Sequence, residues 1–168
     1  MTTLHAQPYS LDAKGFYFAD MADYEAKFEA NRDRFGSLVE EYEIQFIDGA
    51  DAELFRDLGI DQDTLDVWFD RVEYLEKNER AALSYLTAGC LNMDVNDALE
   101  TIDDVCLFEG NIKDYAEEFF DELYPNLPER LRIYIDIEAF ARDLELGCDI
   151  YEFRFKGSDY VVTNHNAL

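Results

Sequence analysis

The sequence predicts an α+β protein, because stretches with strand patterns flank a middle region of successive helical patterns. Near the N-terminus, residues 41–47 alternate polar and apolar side chains with the period of two that is typical of a half-exposed strand. Near the C-terminus, residues 150–155 and 160–163 flank a Lys-Gly-Ser-Asp turn and predict a β-hairpin. We therefore expect a small N-terminal α/β block, a central helical bundle, and a C-terminal block with helices and a β-hairpin.

The pattern divides the chain into an arm and three domains. Residues 1–12 are small, polar and without an obvious period, and are predicted to form a flexible arm. Residues 13–50 are predicted to form an N-terminal β-α-β domain, residues 51–103 a central helical domain, and residues 104–168 a C-terminal α+β domain.

The N-terminal domain is predicted to start with a short strand at residues 15–18. Asp20 or Asp23 then caps a helix that Gly36 ends. Three aromatic residues are expected to share the inner face of this helix: Tyr24, Phe28 and Phe35. The strand at residues 41–47 completes the domain.

Helical patterns with glycine or asparagine between them make up the central domain, at residues 51–58, 63–75, 79–88 and 94–102. The C-terminal domain begins with a short apolar strand at residues 105–108. An amphipathic helix follows at residues 111–124 and is stopped by Pro125. Residues 129–146 are predicted to form one helix, or two with a break near Asp136, before the hairpin.

The composition indicates a folded and strongly acidic protein. The 168 residues include 39 acidic and 14 basic side chains, for a formal charge of -25, and 48% are hydrophobic. Such a charge repels phosphate, so neither nucleic acid nor an anionic membrane is an expected partner, and a large partner should be basic.

No apolar run approaches the ~20 residues that cross a bilayer, and no signal-peptide pattern is present, so a cytoplasmic location is expected.

The middle of the chain, residues 41–128, holds 19 of the 25 excess charges, and two predicted helices place carboxylates opposite an apolar face. Residues 63–75 would carry four carboxylates along ~15 Å of helix axis, a density near the one phosphate per ~3.4 Å of each DNA strand. Like charges at i,i+4 destabilise a helix by ~0.2–0.5 kcal/mol per pair, so helix stability does not favour these faces. A solubilising face is the simple alternative, but two such helices favour a surface that imitates DNA. Its predicted carboxylates are Asp63, Asp66, Asp70, Glu73, Asp114, Glu117, Glu118, Asp121 and Glu122.

Catalytic and metal-binding patterns are missing from the sequence, so no enzyme activity, cofactor or metal is expected. His5 and His165 fall in the predicted arm and tail, and no nucleotide-binding, zinc-protease or serine-hydrolase motif occurs. Two segments start like a calcium-binding EF-hand loop, at Asp61 and Asp94, but lack the ligand and glycine required at loop positions 5 and 6. Three widely spaced cysteines are expected to be buried free thiols: Cys90, Cys106 and Cys148.

The C-terminal third contains a specific series of short motifs. Leu127-Pro128-Glu129 precedes Leu131, Tyr134 and Asp136, and Glu138-Ala139-Phe140-Ala141-Arg142-Asp143-Leu144 follows. This series resembles the signature of the ArdA antirestriction proteins, with Ile137 and Phe140 in place of two tyrosines. The resemblance implies an elongated three-part α+β protein, commonly a homodimer, that imitates bent B-form DNA. Its implied targets are Type I restriction-modification enzymes, whose DNA-binding core it would occupy so that foreign DNA, including mobile genetic elements, escapes cleavage.

The signature itself has a local and an intermolecular interpretation. Locally, Glu138 and Arg142 are spaced for an ion pair, and Ile135, Ala139 and Leu146 are expected in the core. The apolar content also fits a dimer contact, formed by Tyr134, Asp136, Ile137, Ala139, Phe140, Arg142, Asp143 and Leu144. As an alternative function, the acidic surface would bind another basic nucleic-acid-binding protein, such as a CRISPR nuclease, a repressor or a histone-like protein.

Overall fold

The computed structural model describes residues 2–89 and 91–168 and confirms the α+β class. The chain divides into two compact units, Met1–Glu76 and Lys77–Leu168. This boundary falls inside residues 51–103, the predicted central helical domain, so the helices of that region are shared between the units. Each unit combines helices with a three-stranded antiparallel sheet.

The sheet of the first unit consists of β1 (Thr3–Pro8), β2 (Phe16–Phe18) and β3 (Tyr42–Asp48). The strand order is β2-β1-β3, so the prediction of a flexible arm is wrong for β1, which is the central strand. Leu4 and Ala6 are fully buried on one side of β1, while His5 between them is half-buried. This alternation gives β1 one core face, and pairing along both edges satisfies its backbone hydrogen bonds.

The helices of the first unit are α1 (Met21–Ala30), α2 (Ala52–Asp57) and α3 (Leu65–Asp70), followed by a 3₁₀ turn, Val72–Tyr74. Asp20 caps α1, as predicted, and accepts a 2.8 Å hydrogen bond from the Asp23 N–H. α1 ends well before Gly36, and Phe35, which was predicted on its inner face, is 72% exposed. The Asn31 side chain donates to two groups outside the helix, the Lys14 carbonyl and the Tyr42 hydroxyl, and so helps to fix the extended backbone that ends α1.

Aromatic rings pack together in the core of the first unit. The Phe55 and Trp68 ring centroids are 4.9 Å apart, and Phe46 lies 5.4 Å from Phe55. On the same unit, Phe18 packs against Tyr24 with centroids 4.9 Å apart. Such pairs add about 0.5–1.5 kcal/mol each beyond their buried area, which helps a small unit with a short sheet to remain folded.

The described residues of the second unit form the α-helices α4 (Lys77–Ala88), α5 (Val95–Thr101), α6 (Ile112–Leu123), α7 (Glu129–Arg132) and α8 (Ile137–Leu146). Its sheet consists of β4 (Leu107–Glu109), β5 (Tyr151–Phe155) and β6 (Ser158–Val162), in the order β4-β6-β5. The predicted hairpin and the predicted break near Asp136 are both confirmed. Lys156 and Gly157 connect β5 and β6 with φ angles of 48° and 83°, the left-handed values of a two-residue hairpin turn.

The C-terminal tail packs onto the second unit. It ends in a 3₁₀ turn, His165–Ala167. The buried Tyr85 hydroxyl of α4 and His165 Nδ1 share a 2.6 Å hydrogen bond. Asn164 accepts from the Cys106 N–H at 2.9 Å and donates to the Asp104 carbonyl at 2.8 Å, which ties the tail to the segment before β4.

The two sheets have the same arrangement in a permuted chain order. In each, the central strand lies between an edge strand that leads into a helix and an edge strand that follows a helical segment. The central strand comes first in the first unit and last in the second.

Among the described residues, every helix is too short or too polar to cross a lipid bilayer.

Candidate binding surface

The excess negative charge is shared almost equally by the two units. Residues 1–76 contain 19 acidic and 6 basic side chains, and residues 77–168 contain 20 and 8. Within the second unit the distribution is uneven, since Lys113 is the single basic residue between Arg80 and Arg130, against 12 acidic residues. That stretch includes α5 and α6, so these two helices present the least compensated charge.

α6 carries five exposed carboxylates, called the α6 stripe: Asp114, Glu117, Glu118, Asp121 and Glu122. Asn111 caps this helix and accepts hydrogen bonds from the N–H groups of Lys113 and Asp114, both at 3.0 Å. Ala116 on the opposite face is fully buried, which fixes the stripe toward solvent. The five carboxylates occupy about 12 Å of helix axis. Their mean spacing of about 3 Å is similar to the ~3.4 Å between phosphates of one DNA strand.

Tertiary contacts compensate part of this charge. Asp121 is exposed, as predicted, but Arg132 of α7 pairs with it and compensates part of its charge. Lys113 Nζ lies 3.1 Å from a Glu138 carboxylate oxygen on α8, and this hydrogen bond raises the pKa of Lys113. Within the described residues, four members of the stripe form no ion pair: Asp114, Glu117, Glu118 and Glu122.

The other predicted acidic helix, residues 63–75, is not one helix. Asp61 Oδ1 accepts hydrogen bonds from the N–H groups of Asp63 at 3.0 Å and Thr64 at 3.2 Å, so these residues form a turn that delays the start of α3. Arg71, with φ of -124° and ψ of -56°, ends α3 and precedes the 3₁₀ turn. The apolar side agrees better with the prediction, because Leu65, Trp68 and Val72 are buried and Leu75 is half-buried.

This break separates the carboxylates that were expected on one axis. Asp66 and Asp70 are exposed on α3, about 6 Å apart along its axis, whereas Asp63 is exposed in the preceding turn. Glu73 is half-buried in the 3₁₀ turn. Burial raises the pKa of Tyr24 to about 12, and the nearby charge of Asp63 adds to the effect. The expected 15 Å row of four carboxylates is therefore replaced by one exposed pair with two flanking groups.

A further acidic face, absent from the sequence-based prediction, lies on α5 and the 3₁₀ turn after it, Ile102–Asp104. Val95, Ala98 and Leu99 are buried on the opposite side. The sequence signal was available, since acids recur every third residue in a stretch that lacks basic residues. The exposed carboxylates are Asp94, Asp97, Glu100, Asp103 and Asp104.

Some of the signature residues pack inside the second unit, and others are exposed. Asp136 caps α8, where it accepts a 2.9 Å hydrogen bond from the Ala139 N–H. The Phe140 ring stacks on Phe119 with centroids 6.2 Å apart and meets Phe120 edge-on at 5.6 Å, so it joins α8 to α6. The half-buried members are Ile137, Ala139, Phe140 and Leu144, and the exposed members are Tyr134, Asp136, Arg142 and Asp143.

Two local expectations for the signature are corrected. Glu138 pairs with Lys113 rather than with Arg142. Leu146, predicted in the core, is 74% exposed, because the inner face of α8 follows Ile137, Ala141 and Leu144, and Leu146 points away from it. Large apolar side chains near the signature are also exposed and form what we call the apolar patch: Leu123, Tyr124, Leu131, Ile133 and Tyr134.

His5 belongs to a folded strand, contrary to the prediction of a flexible arm, whereas His165 lies in the C-terminal tail, as predicted. His5 lies in β1 with its ring centroid 4.7 Å from that of Tyr17, and His165 is bonded to Tyr85. In the part of the chain that the structure describes, no group of three or more His, Cys, Asp or Glu side chains is arranged to hold a metal ion.

The cysteine prediction is confirmed for the free thiols of Cys106 and Cys148 but wrong for their burial. Cys106 and Cys148 are both free thiols and exposed. Cys90 lies outside the described residues.

Comparison with known proteins gives one finding. A family model described as "Antirestriction protein (ArdA)" matches residues 14–156, which include the signature and both acidic segments on α3 and α6. Curated protein sequences give no match.

Proposed function

Because the chain belongs to the ArdA family of antirestriction proteins, we propose that it inhibits Type I restriction-modification enzymes by occupying their DNA-binding site. Membership of this family implies an antirestriction function and an interaction with restriction enzymes. The proposal adds the enzyme class and the means of inhibition, which is an acidic surface that takes the place of duplex DNA.

The α6 stripe is the observation that carries this proposal. Its carboxylates have nearly the axial spacing of phosphates along a DNA strand, and Glu117, Glu118 and Glu122 form no ion pair within the described residues. An exposed row of like charges lowers the stability of the helix that bears it, so its presence is best explained by a basic partner. The acidic face on α5 supplies further charge of the same kind in the same unit.

Inhibition through an exposed acidic surface should depend on the salt concentration and on several carboxylates at once. Exposed charges attract a basic channel over a Debye length of ~10 Å at 0.1 M salt and ~3 Å at 1 M, so inhibition should weaken steeply as salt increases. Inhibition should also depend on many carboxylates together rather than on one residue, since each exposed pair contributes only about 0–1 kcal/mol. No group of the protein needs to react with the enzyme.

The alternative function, an acidic adaptor for another basic nucleic-acid-binding protein, requires charge density but not DNA-like spacing. The two proposals differ in competition experiments. An inhibitor that imitates DNA should displace duplex DNA from a restriction enzyme and leave histone-like proteins largely unbound at the same salt concentration. An adaptor should bind both kinds of protein in proportion to their positive charge.

We also propose that the apolar patch forms a homodimer contact. Ile133 and Tyr134 are 78% and 79% exposed. Exposed groups of large apolar side chains commonly mark protein–protein contacts. Phe140 is a poor probe of this contact, because its ring packs inside the unit against Phe119 and Phe120. Ile133→Asp with Tyr134→Asp should instead give monomers in light scattering while the circular dichroism spectrum stays unchanged. A dimer that persists in this variant would exclude the patch as the contact.

The proposed function is tested by plating unmodified phage on cells with a Type I restriction system. Cells that also express the protein should allow phage growth at the level of non-restricting cells. A variant with four exposed carboxylates reversed to lysine should restore restriction: Asp66, Asp70, Glu117 and Glu118. Asp121 is left unchanged because Arg132 already neutralises it. Full protection by the reversed variant would contradict an acidic binding surface.

A further inference from the structure

A cleft interrupts the α6 stripe where α6 faces α7 and the start of α8. It has a volume of about 280 Å³, which is smaller than the pockets that hold drug-sized ligands and suits a single side chain. Its lining combines charged and apolar groups: Glu117, Phe120, Asp121, Arg132, Ile135 and Ile137.

The apolar lining is held in place by packing. Phe120 lies between Tyr124, at a centroid distance of 4.8 Å, and Phe140, at 5.6 Å. Ile135 and Ile137 are half-buried beside it. Such a wall accommodates the methylene stem of a long cationic side chain, whose charged end stays near the opening. A guanidinium also stacks favourably on an aromatic face, which an ammonium does less well.

The charged lining already shows how the cleft receives a guanidinium. Arg132 places its own guanidinium on the Asp121 carboxylate, while Glu117 on the preceding turn of α6 forms no ion pair within the described residues. Both members of the Arg132–Asp121 pair are about half exposed, with side-chain accessibilities of 49% and 50%. Water and other cations therefore reach the pair.

We propose that this cleft binds one arginine side chain of the protein's basic partner, and that Arg132 is a built-in competitor for it. The proposal rests on the proposed function, since it assumes that the α6 stripe faces a basic DNA-binding site. An incoming guanidinium would take Asp121 from Arg132, bond to Glu117 with its remaining N–H groups, and lie along Phe120. The cleft thus adds a shape-dependent contact to a surface that otherwise attracts any cation.

The direct test uses N-acetyl-L-argininamide as the probe and the isoleucine methyl groups of the full-length protein as NMR reporters. The methyl resonances of Ile135 and Ile137 should shift in a saturable way. N-acetyl-L-citrullinamide, which has nearly the same shape without the charge, should leave them unchanged. The absence of shifts with the arginine probe, or equal shifts with both probes, would overturn the proposal.

Two matched variants assign the effect to the cleft. Glu117→Gln and Glu118→Gln remove the same charge from adjacent positions of α6, but Glu118 is not part of the cleft lining. Glu117→Gln should weaken probe binding by about threefold or more, whereas Glu118→Gln should change it little. Arg132→Gln should strengthen binding by up to about fivefold, because a half-exposed ion pair limits the competition to that size. Equal effects of the two glutamate variants would show that total charge, not the cleft, holds the probe.

Measuring restriction inhibition by the same proteins distinguishes the arginine cleft from the proposed inhibition of restriction enzymes, on which it rests. If the wild-type protein inhibits but the probe does not bind, the arginine cleft is rejected and the acidic surface remains. If the probe binds but the wild-type protein does not inhibit, the proposed function is rejected and the cleft remains. If both hold, Glu117→Gln should reduce inhibition more than Glu118→Gln.

Discussion

Neutralising the α6 stripe tests whether inhibition depends on where the carboxylates lie or only on how many the protein carries. The informative variant changes Asp114 to Asn and Glu117, Glu118 and Glu122 to Gln, so that shape is nearly kept and the formal charge rises from -25 to -21. All four side chains are exposed, and none forms an ion pair within the described residues. Each exposed pair with a basic partner contributes about 0.2–1 kcal/mol, so four should contribute roughly 1–4 kcal/mol. Half-maximal inhibition of a Type I enzyme should then need a concentration roughly 5-fold to 800-fold higher.

The same substitutions should leave the fold intact. Removing the i,i+4 like-charge pairs Asp114–Glu118, Glu117–Asp121 and Glu118–Glu122 stabilises α6 by about 0.2–0.5 kcal/mol each, while losing a negative charge near the helix N-terminus costs a similar amount. Urea unfolding followed by circular dichroism should therefore give a stability within about 1 kcal/mol of the wild type. A much larger loss would mean that the carboxylates have a structural role.

A control variant carries the same change of charge in the first unit. It converts four exposed glutamates to glutamine: Glu25, Glu29, Glu40 and Glu41. Inhibition of DNA cleavage by this control should stay within about threefold of the wild type, because long-range screening leaves only a small effect of net charge. Equal losses in the two variants would refute the argument that the position of the stripe matters.

Three other predictions follow from individual residues. Asp136→Ala should destabilise the second unit by about 1 kcal/mol through loss of the α8 cap, whereas Asp136→Asn should retain most of the stability in urea unfolding. Because burial raises the pKa of Tyr24 to about 12, its proton binds more tightly in the folded than in the unfolded state. The wild type should therefore lose up to about 3 kcal/mol between pH 10 and pH 12, and Tyr24→Phe should lose correspondingly less when unfolding is measured at both pH values. Cys106 and Cys148 should react rapidly with Ellman's reagent in the native protein, and each Cys→Ser substitution should remove one fast thiol.

Local signals explain why much of the second unit was predictable. α6 has an asparagine cap at Asn111, an apolar face of period 3.6, and Pro125 two residues after its end, and its predicted and observed bounds nearly coincide. The hairpin likewise depends on two adjacent residues, Lys156 and Gly157, that adopt left-handed conformations. Elements of this kind are specified within about a dozen residues, so no knowledge of distant contacts is needed.

β1 shows what local patterns miss. Its core face is formed by small or unremarkable residues, Leu4, Ala6 and Pro8, whose strand propensity is modest. It becomes a strand because β2 and β3 pair with both of its edges, and β3 lies more than 30 residues away in sequence. The alternation of apolar and polar residues along Leu4-His5-Ala6-Gln7-Pro8 is too short to predict the strand by itself.

The sequence predicted which carboxylates are exposed on α6, but not which of them form an ion pair. Exposure of the α6 carboxylates follows from the helical period, whereas the Arg132–Asp121 pair depends on how α7 turns back toward α6. In the same way, the Asp61 turn and Arg71 limit α3 to six residues, although the apolar spacing of residues 63–75 fits a longer helix. The cleft beside Glu117 depends on how α7 and the start of α8 pack against α6, and it has no sequence signature.

The most direct test of the account is competition with DNA on the target enzyme. A fluorescent duplex with the recognition site is bound to the methyltransferase core of a Type I enzyme, and the protein is added at several salt concentrations. If the protein occupies the DNA-binding site, it should displace the duplex completely, with an apparent affinity that follows competitive binding and falls as salt increases. A stable ternary complex of enzyme, duplex and protein, or displacement that does not change with salt, would contradict it.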